Sequence, residues 1–157
     1  MFRAKAAKVA VLFLGLVVAT LAACGGERAA ERATAEAGEE ALLGRVEIVE
    51  PADGDTVGPE ARLVLRAEGV VVEPAQGERV AGRGHHHIFL DTDVTPASEP
   101  IPKQVQGIIH LGTGASQFTV KGLTPGEHRL IAVLAYGDHV AMERVAADTV
   151  RVVVRAP

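Results

Sequence analysis

Three consecutive histidines, His85, His86 and His87, are the residues of this chain best suited to chemistry. They follow a Gly-Arg-Gly approach and precede an apolar run at 88–90, a pattern typical of a β-strand. Alternate side chains of a strand share a face, so His85 and His87 point to the same side as Asp91, and His86 points to the other. Two imidazoles roughly 6.6 Å apart along a strand can converge on one ion. The block therefore predicts a metal site.

The other histidines are His110, His128 and His139, so all six fall between positions 85 and 139. His110 and His139 each adjoin a glycine-rich or polar turn, from which each could reach a site at one end of a folded domain. His128 begins a long β-like run, where an imidazole commonly bonds a neighbouring backbone group. Imidazole is the usual ligand of Zn and Cu where thiolates tend to be oxidised. The predicted ligands of a Cu or Zn ion are His85, His87, His110 and His139, followed by His86 and Asp91 as further candidates.

Two other interpretations of the histidine block remain open. The three imidazoles could be structural, bonding loop carbonyls and pinning the glycine-rich entry, in a metal-free domain that contacts another envelope component. A three-histidine zinc site with an open position could in principle hydrolyse a substrate. The sequence has no nucleophile elbow, no phosphate loop and no helical zinc motif with a glutamate. We therefore predict a binding protein and not an enzyme.

Short β-like segments separated by turns fill the chain after residue 44, where no amphipathic helical pattern occurs. About seven such segments, with turn signals every 8 to 12 residues, are typical of an all-β sandwich. We predict an immunoglobulin-like antiparallel β-sandwich over residues 45–157, with a jelly roll or another sandwich as the alternative. These 157 − 44 = 113 residues are of single-domain size.

The amino terminus has the pattern of an export signal. Arg3, Lys5 and Lys8 precede an apolar run at 9–21 that is too short for a comfortable membrane span. The ending Leu-Ala-Ala-Cys at 21–24 resembles the lipobox of bacterial lipoproteins, which implies that Cys24 is lipidated and anchors the mature chain to a membrane. We predict a signal peptide at 1–23, a lipidated Cys24 with a flexible Ala/Glu/Arg-rich tether at 24–44, and the sandwich at 45–157.

Charge and cysteine content limit the partners of the exported chain. Cleavage before Cys24 removes three of the 16 basic residues and none of the 20 acidic ones, leaving 13 − 20 = −7 with neutral histidines. This negative net charge argues against nucleic acid as a partner. An unidentified envelope protein remains an open alternative as a partner. The single cysteine excludes an intramolecular disulfide. In the lipoproteins that the signal resembles, Gly25 after the cysteine favours the outer membrane, so a periplasm-facing anchor is expected in a Gram-negative cell.

Several motifs together resemble one family of exported bacterial proteins. They are Pro-Ala-Asp-Gly at 51–54, the Gly-x-Gly-His-His-His block at 82–87, Pro-Ile-Pro at 100–102, His-Leu-Gly at 110–112, Leu-x-Pro-Gly-x-His-x-Leu at 123–130 and Gly-Asp-His at 137–139. Over about residues 46–154 the chain resembles the family catalogued as domain of unknown function 4399, whose name implies no activity. Relatives often carry a proline and a second histidine after the position of His139, where this chain has Ala141 and Met142. The resemblance therefore adds the thioether of Met142, a ligand suited to Cu(I), as a candidate.

Overall fold

The computed structural model of the chain describes residues 41–156, and the following account is confined to them. The predicted signal peptide, Cys24 and most of the predicted tether lie outside the described residues. Among residues 41–156, no helix has the length and apolar character needed to cross a bilayer.

Ten β-strands form the regular structure of these residues. They are β1 (Gly44–Glu50), β2 (Thr56–Val57), β3 (Glu60–Glu68), β4 (Val71–Val72), β5 (Arg83–Leu90), β6 (Ile108–Leu111), β7 (Gln117–Lys121), β8 (Gly126–Ala135), β9 (Val145–Ala146) and β10 (Asp148–Val154). Seven of them have four or more residues, and the other three are short edge pieces of two residues. The prediction of an all-β fold is confirmed.

The strands form two sheets. One has the order β7-β3-β1-β9, and the other has the order β2-β10-β8-β5-β4, with β6 also paired to β5. Among the seven longer strands, β1, β3 and β7 belong to one sheet, and β5, β6, β8 and β10 belong to the other. All pairings of these longer strands within each sheet are antiparallel. This is the strand order of an immunoglobulin-like sandwich, as the sequence predicts.

The main core lies between the two sheets and follows the two-residue period of the strands. In β10, Val150, Val152 and Val154 are buried, while Arg151 between them is exposed. In β3, Leu63 and Leu65 face the same interior. Each fully buried aliphatic side chain contributes about 1.5–3 kcal/mol from removal of apolar surface from water.

A second, smaller core covers the outer face of the β5 and β8 sheet. Phe89, Ile131 and Val133 point away from the main core and pack with Ile101, which lies in the proline-rich segment before β6. That segment is held in place because the amide of Ile101 donates to the carbonyl of His139 over 2.8 Å. The predicted crossing loop is thus a cover, and both faces of β5 are removed from water.

Candidate metal centre

Strand β5 places His85 and His87 on the outer face of its sheet. Both side chains are fully buried, and both share their face with Phe89 of the second core. The Nε2 atoms of His85 and His87 lie 2.9 Å apart, and the ring centroids lie 4.8 Å apart. Two residues of one strand therefore converge on a single point, as the alternation of the sequence predicts.

Strand β6 brings His110 to the same point. His110 is the direct antiparallel partner of His87, so both side chains project from the same face, with ring centroids 4.9 Å apart. The imidazole of His110 lies over Gly112, where a Cβ atom would overlap the ring. Glycine at this position is therefore a requirement of the observed placement of His110.

The fourth imidazole comes from the loop that follows β8. His139 has a left-handed backbone conformation with φ of 70°, and its amide donates to the carbonyl of Tyr136 over 2.9 Å. The amide of Tyr136 in turn donates to the carbonyl of Val140 over 2.9 Å, which closes a tight turn. This turn directs the ring of His139 onto His110, with 3.1 Å between the two Nε2 atoms.

Together the four rings form a compact cluster. One ring nitrogen from each of His85, His87, His110 and His139 lies within 4.8 Å of the other three. Zinc bound tetrahedrally at 2.0–2.1 Å requires nitrogen separations of about 3.3–3.4 Å. The observed 2.9 and 3.1 Å pairs lie just inside this value, and separations of up to 4.8 Å would have to shorten by ring rotation. All four principal ligands predicted from the sequence are brought together.

Burial keeps the rings of the cluster neutral. Desolvation, followed by the neighbouring imidazoles, lowers the pKa of His85 to about 4 and the pKa of His87 to about 2. Desolvation also lowers the pKa values of His110 and His139, and the ammonium group of Lys103 lowers both further. A neutral imidazole is the form that binds a metal ion, so the cluster is ready for ligation at neutral pH.

Hydrogen bonding does not account for the buried rings of the block. The Nδ1 atoms of His85 and His87 and both ring nitrogens of His86 are buried without a hydrogen-bond partner. Each unsatisfied buried group costs about 1–3 kcal/mol. The structural interpretation of the block requires bonds from these rings to loop carbonyls, and residues 41–156 provide none to them.

A cleft of about 370 Å³ connects the cluster to solvent. His110 and His139 form its inner wall, and Lys103 and Thr113 line it nearer the surface. His85 and His87 lie behind them, fully buried. An ion could therefore enter past the two outer rings and reach the two inner ones.

The three further candidates predicted from the sequence lie outside the cluster, so the prediction of these residues as ligands was wrong. His86 projects into the sandwich interior because it alternates with its two neighbours along β5. Met142 is also part of the interior core, near Gly84, on the opposite face of the sheet from the four rings. Asp91 accepts hydrogen bonds from the ring of His128 and the amide of Arg129, so it does not orient the cluster.

His128 forms a separate ion pair. Its Nδ1 atom lies 2.6 Å from the carboxylate of Asp91, and its Nε2 atom lies 2.7 Å from the carbonyl of Thr124. Both partners are acceptors, so this arrangement favours the protonated ring, in which both nitrogens donate. The bond to Thr124 first, and then Asp91, raise the pKa of His128. The prediction of a backbone bond for His128 is confirmed, whereas the 37-residue separation hid its pairing with Asp91.

Lys103 is the functional candidate that the sequence analysis missed. It follows the Pro-Ile-Pro motif at 100–102, and the buried Ile101 anchors the segment that carries it to the cleft. The motif signalled an irregular loop, but nothing in the local sequence indicated which part of the sheet the loop covers.

The fold and the cluster define an immunoglobulin-like β-sandwich in which four histidines, three on the outer face of the second sheet and one in the loop after β8, converge on one point. The family model described as Domain of unknown function (DUF4399) matches residues 63–155, more than half of the chain and all four rings. The chain therefore belongs to this family, which confirms the resemblance noted in the sequence. No curated protein sequence matches the chain significantly.

Several solved structures share a similar arrangement at low sequence identity. The fibronectin(III)-like modules of Clostridium thermocellum CbhA are 13% identical, with a TM-score of 0.41, over 70% of this chain and 96% of theirs. The endo-beta-1,4-mannanase from Thermotoga petrophila is 13% identical with a TM-score of 0.41, and the match covers 76% of this chain but only 21% of the mannanase. The assignment of the fold rests on the order and pairing of the strands described above.

Proposed function

We propose that this protein binds a transition-metal ion, copper or zinc, through His85, His87, His110 and His139. The observation that carries the proposal is the convergence of four neutral imidazoles within 4.8 Å, two of them fully buried and without other hydrogen-bond partners at Nδ1. Three separate elements contribute the rings, namely β5, β6 and the turn after β8. Such convergence costs desolvation and unsatisfied hydrogen bonds, which the binding of an ion would offset.

The chemistry of the four ligands supports copper or zinc over calcium or magnesium. Calcium and magnesium take oxygen ligands, and the cluster consists of imidazoles alone. Nitrogen ligands suit Zn(II) in tetrahedral geometry and Cu(II) in tetragonal geometry. Because Met142 packs in the interior, a thioether contribution that would favour Cu(I) is not part of the proposal.

A binding role agrees better with the cluster than a catalytic one. Catalytic zinc sites usually have three protein ligands and an open position, whereas four imidazoles meet here. The sequence also contains none of the catalytic motifs considered above. We therefore propose retention or transfer of the ion, and no chemical transformation at the site.

We further propose that the protein acts at the cell envelope, anchored by a lipid on Cys24. The support is the Leu-Ala-Ala-Cys ending of the apolar amino-terminal run, which belongs to residues outside those described. Labelling of the expressed protein with a radioactive fatty acid, compared between the natural chain and Cys24→Ser, tests this part separately. Label that persists in the serine variant would contradict it.

Metal binding is tested by titrating the purified full chain with Cu(II) and with Zn(II) against a chromophoric chelator. The natural chain should take up one ion, and the double variant His85→Ala/His87→Ala should lose stoichiometric binding. His128→Gln is the matched control, because it removes an imidazole that lies outside the cluster. Circular dichroism establishes that each variant is folded. Equal, weak binding by all folded forms would leave a metal-free interaction module as the better account.

A further inference from the structure

A positively charged side chain lines the cleft beside the proposed metal site. Lys103 lines the cleft together with His110 and His139, which are the two outer rings of the cluster. A cation beside a site for a second cation repels it, and an anion held between them would remove this repulsion. We infer that the loaded metal ion and Lys103 together bind a small carboxylate-type anion in this cleft, an inference that rests on the proposed metal site.

The ligands leave the charge of a bound ion uncompensated. All four are neutral imidazoles, so the ligands themselves would not offset the charge of a divalent ion. The carboxylate of Asp138, next to His139 in the chain, is already paired with Arg79 at 2.9 Å. Lys103 lines the same cleft as His110 and His139 and adds to its positive potential. An anion supplied from solution would balance this charge.

The cleft has the donors and the space that a carboxylate needs. Its volume of about 370 Å³ is larger than a small carboxylate. Lys103 offers an ammonium group and Thr113 a hydroxyl group as hydrogen-bond donors. Backbone bonds hold its walls together, since Ala75 donates to the carbonyl of Gly112 over 2.9 Å and Gly77 donates to that of Gly137 over 3.2 Å. The pocket is therefore formed before any anion arrives, which lowers the entropic cost of binding.

The open side of the cluster also permits direct coordination of the anion. His85 and His87 occupy the buried side, so the face of a bound ion that lies toward His110 and His139 is the one open to the cleft. His85, His87, His110 and His139 would hold a Cu(II) ion, which can accept a further ligand in addition to four nitrogens. An anion in the cleft would then lie near both the ion and Lys103, because Lys103 lines the same space as His110 and His139.

The inference is tested with the Cu(II)-loaded full chain and azide as the probe. Azide bound to Cu(II) gives a charge-transfer absorption, so a titration yields its dissociation constant directly. Lys103→Met should raise this constant about fivefold or more, because it removes an attraction of about one unit charge near the anion. Lys103→Arg should stay close to the natural value. Lys121→Met is the matched control, since it removes the same charge from β7 in the other sheet.

Competition identifies the class of anion. Acetate, added to the azide complex, should reduce the charge-transfer absorption, which supports a carboxylate as the ligand. A copper-loaded chain without an azide band, an unchanged azide constant in Lys103→Met, or no displacement by acetate would each overturn the inference while the metal site stands. Failure to load copper would overturn this inference, and the proposed function falls only if the chain also fails to load zinc.

Discussion

His87 and His110 lie directly opposite each other in the antiparallel pair of β5 and β6, with ring centroids 4.9 Å apart. This cross-strand register links two histidines 23 positions apart in the sequence and lets His85 and His139 complete the group. The consequences of this register can be measured at the metal site and in the stability of the fold.

The metal affinity should resist acid more than an ordinary histidine site does. An unperturbed histidine has a pKa of about 6.5, and protonation below that value competes with the metal. Because burial lowers the pKa of His85 to about 4 and that of His87 to about 2, these rings remain neutral well below this pH. Binding should weaken only as the pH falls through the lowered pKa values of His110 and His139. Zinc titrations at a series of pH values measure this, and a midpoint of loss at or above about 6.5 would contradict it.

The ion-free protein should lose stability in acid, because the unfolded chain binds protons at histidines that remain neutral when buried in the folded protein. His85, His86 and His87 all have lowered pKa values, so the free energy of unfolding falls as the pH drops below about 6.5. Each ring contributes up to about 1.4 kcal/mol per pH unit over this window. Urea unfolding of the ion-free protein at several pH values gives the slope. A stability that is flat or rises on acidification through this window would show that the rings are solvated.

The pair formed by His128 and Asp91 should have the opposite pH dependence. Its bonds raise the pKa of His128, so the stabilisation is fully present below about 6.5 and is lost as the pH rises through the raised value. Asp91→Asn should remove about 1–3 kcal/mol at low pH and much less above the raised pKa. Urea unfolding of the zinc-loaded natural chain and the variant on both sides of neutrality tests this. Asp93→Asn, which changes an exposed carboxylate that pairs with Arg129, is the control. An equal loss at all pH values would exclude a protonated ring.

Gly112→Ala should weaken metal binding without unfolding the protein. A methyl group at this position overlaps the imidazole of His110, so the ring must turn away from the cluster. We expect a loss of about tenfold or more in affinity, the size seen when the surroundings of a ligand are disturbed. Gly58→Ala is the matched control, because its Cβ meets only one atom, at 3.8 Å. Competition with a chelator measures both variants, and equal affinities would mean that His110 is not a ligand.

His86→Leu should leave the metal site intact and stabilise the domain. The ring of His86 lies in the interior with both nitrogens unpartnered, and leucine has a similar volume without polar atoms. Removing two unsatisfied groups should raise the free energy of unfolding by about 1 kcal/mol or more. Denaturant unfolding and a metal titration of the same sample give both results. Loss of the metal in this variant would place His86 in the site, contrary to its position on the interior face.

Local sequence patterns predicted which neighbouring residues of the site share a face, but not which distant residues meet in the fold. The alternation along β5 predicted that His85 and His87 share a face, and the turns beside His110 and His139 predicted that they could reach it. The same alternation places His86 on the opposite face from the pair, so the local pattern already argued against His86 as a ligand. Which face Met142 would occupy depends on the path of the chain through the turn after β8, which no local pattern specifies.

The fold was predictable because it also follows from local sequence patterns. Alternating apolar residues and frequent turns specify short strands, and a two-sheet sandwich is the usual way for such strands to bury one face each. The second core was not predictable, because the continuous burial of β8 arises from a cover supplied by Ile101, some thirty positions earlier in the chain. The same cover brings Lys103 to the cleft.

X-ray absorption of the copper- or zinc-loaded full chain tests the central claim most directly, because it counts the atoms bound to the ion. Four imidazole nitrogens at about 2.0–2.1 Å from a zinc ion, lost in His85→Ala/His87→Ala and kept in His128→Gln, is the predicted result. An ion bound by fewer than four imidazoles, or mainly by oxygen or sulfur, would contradict the four-histidine site.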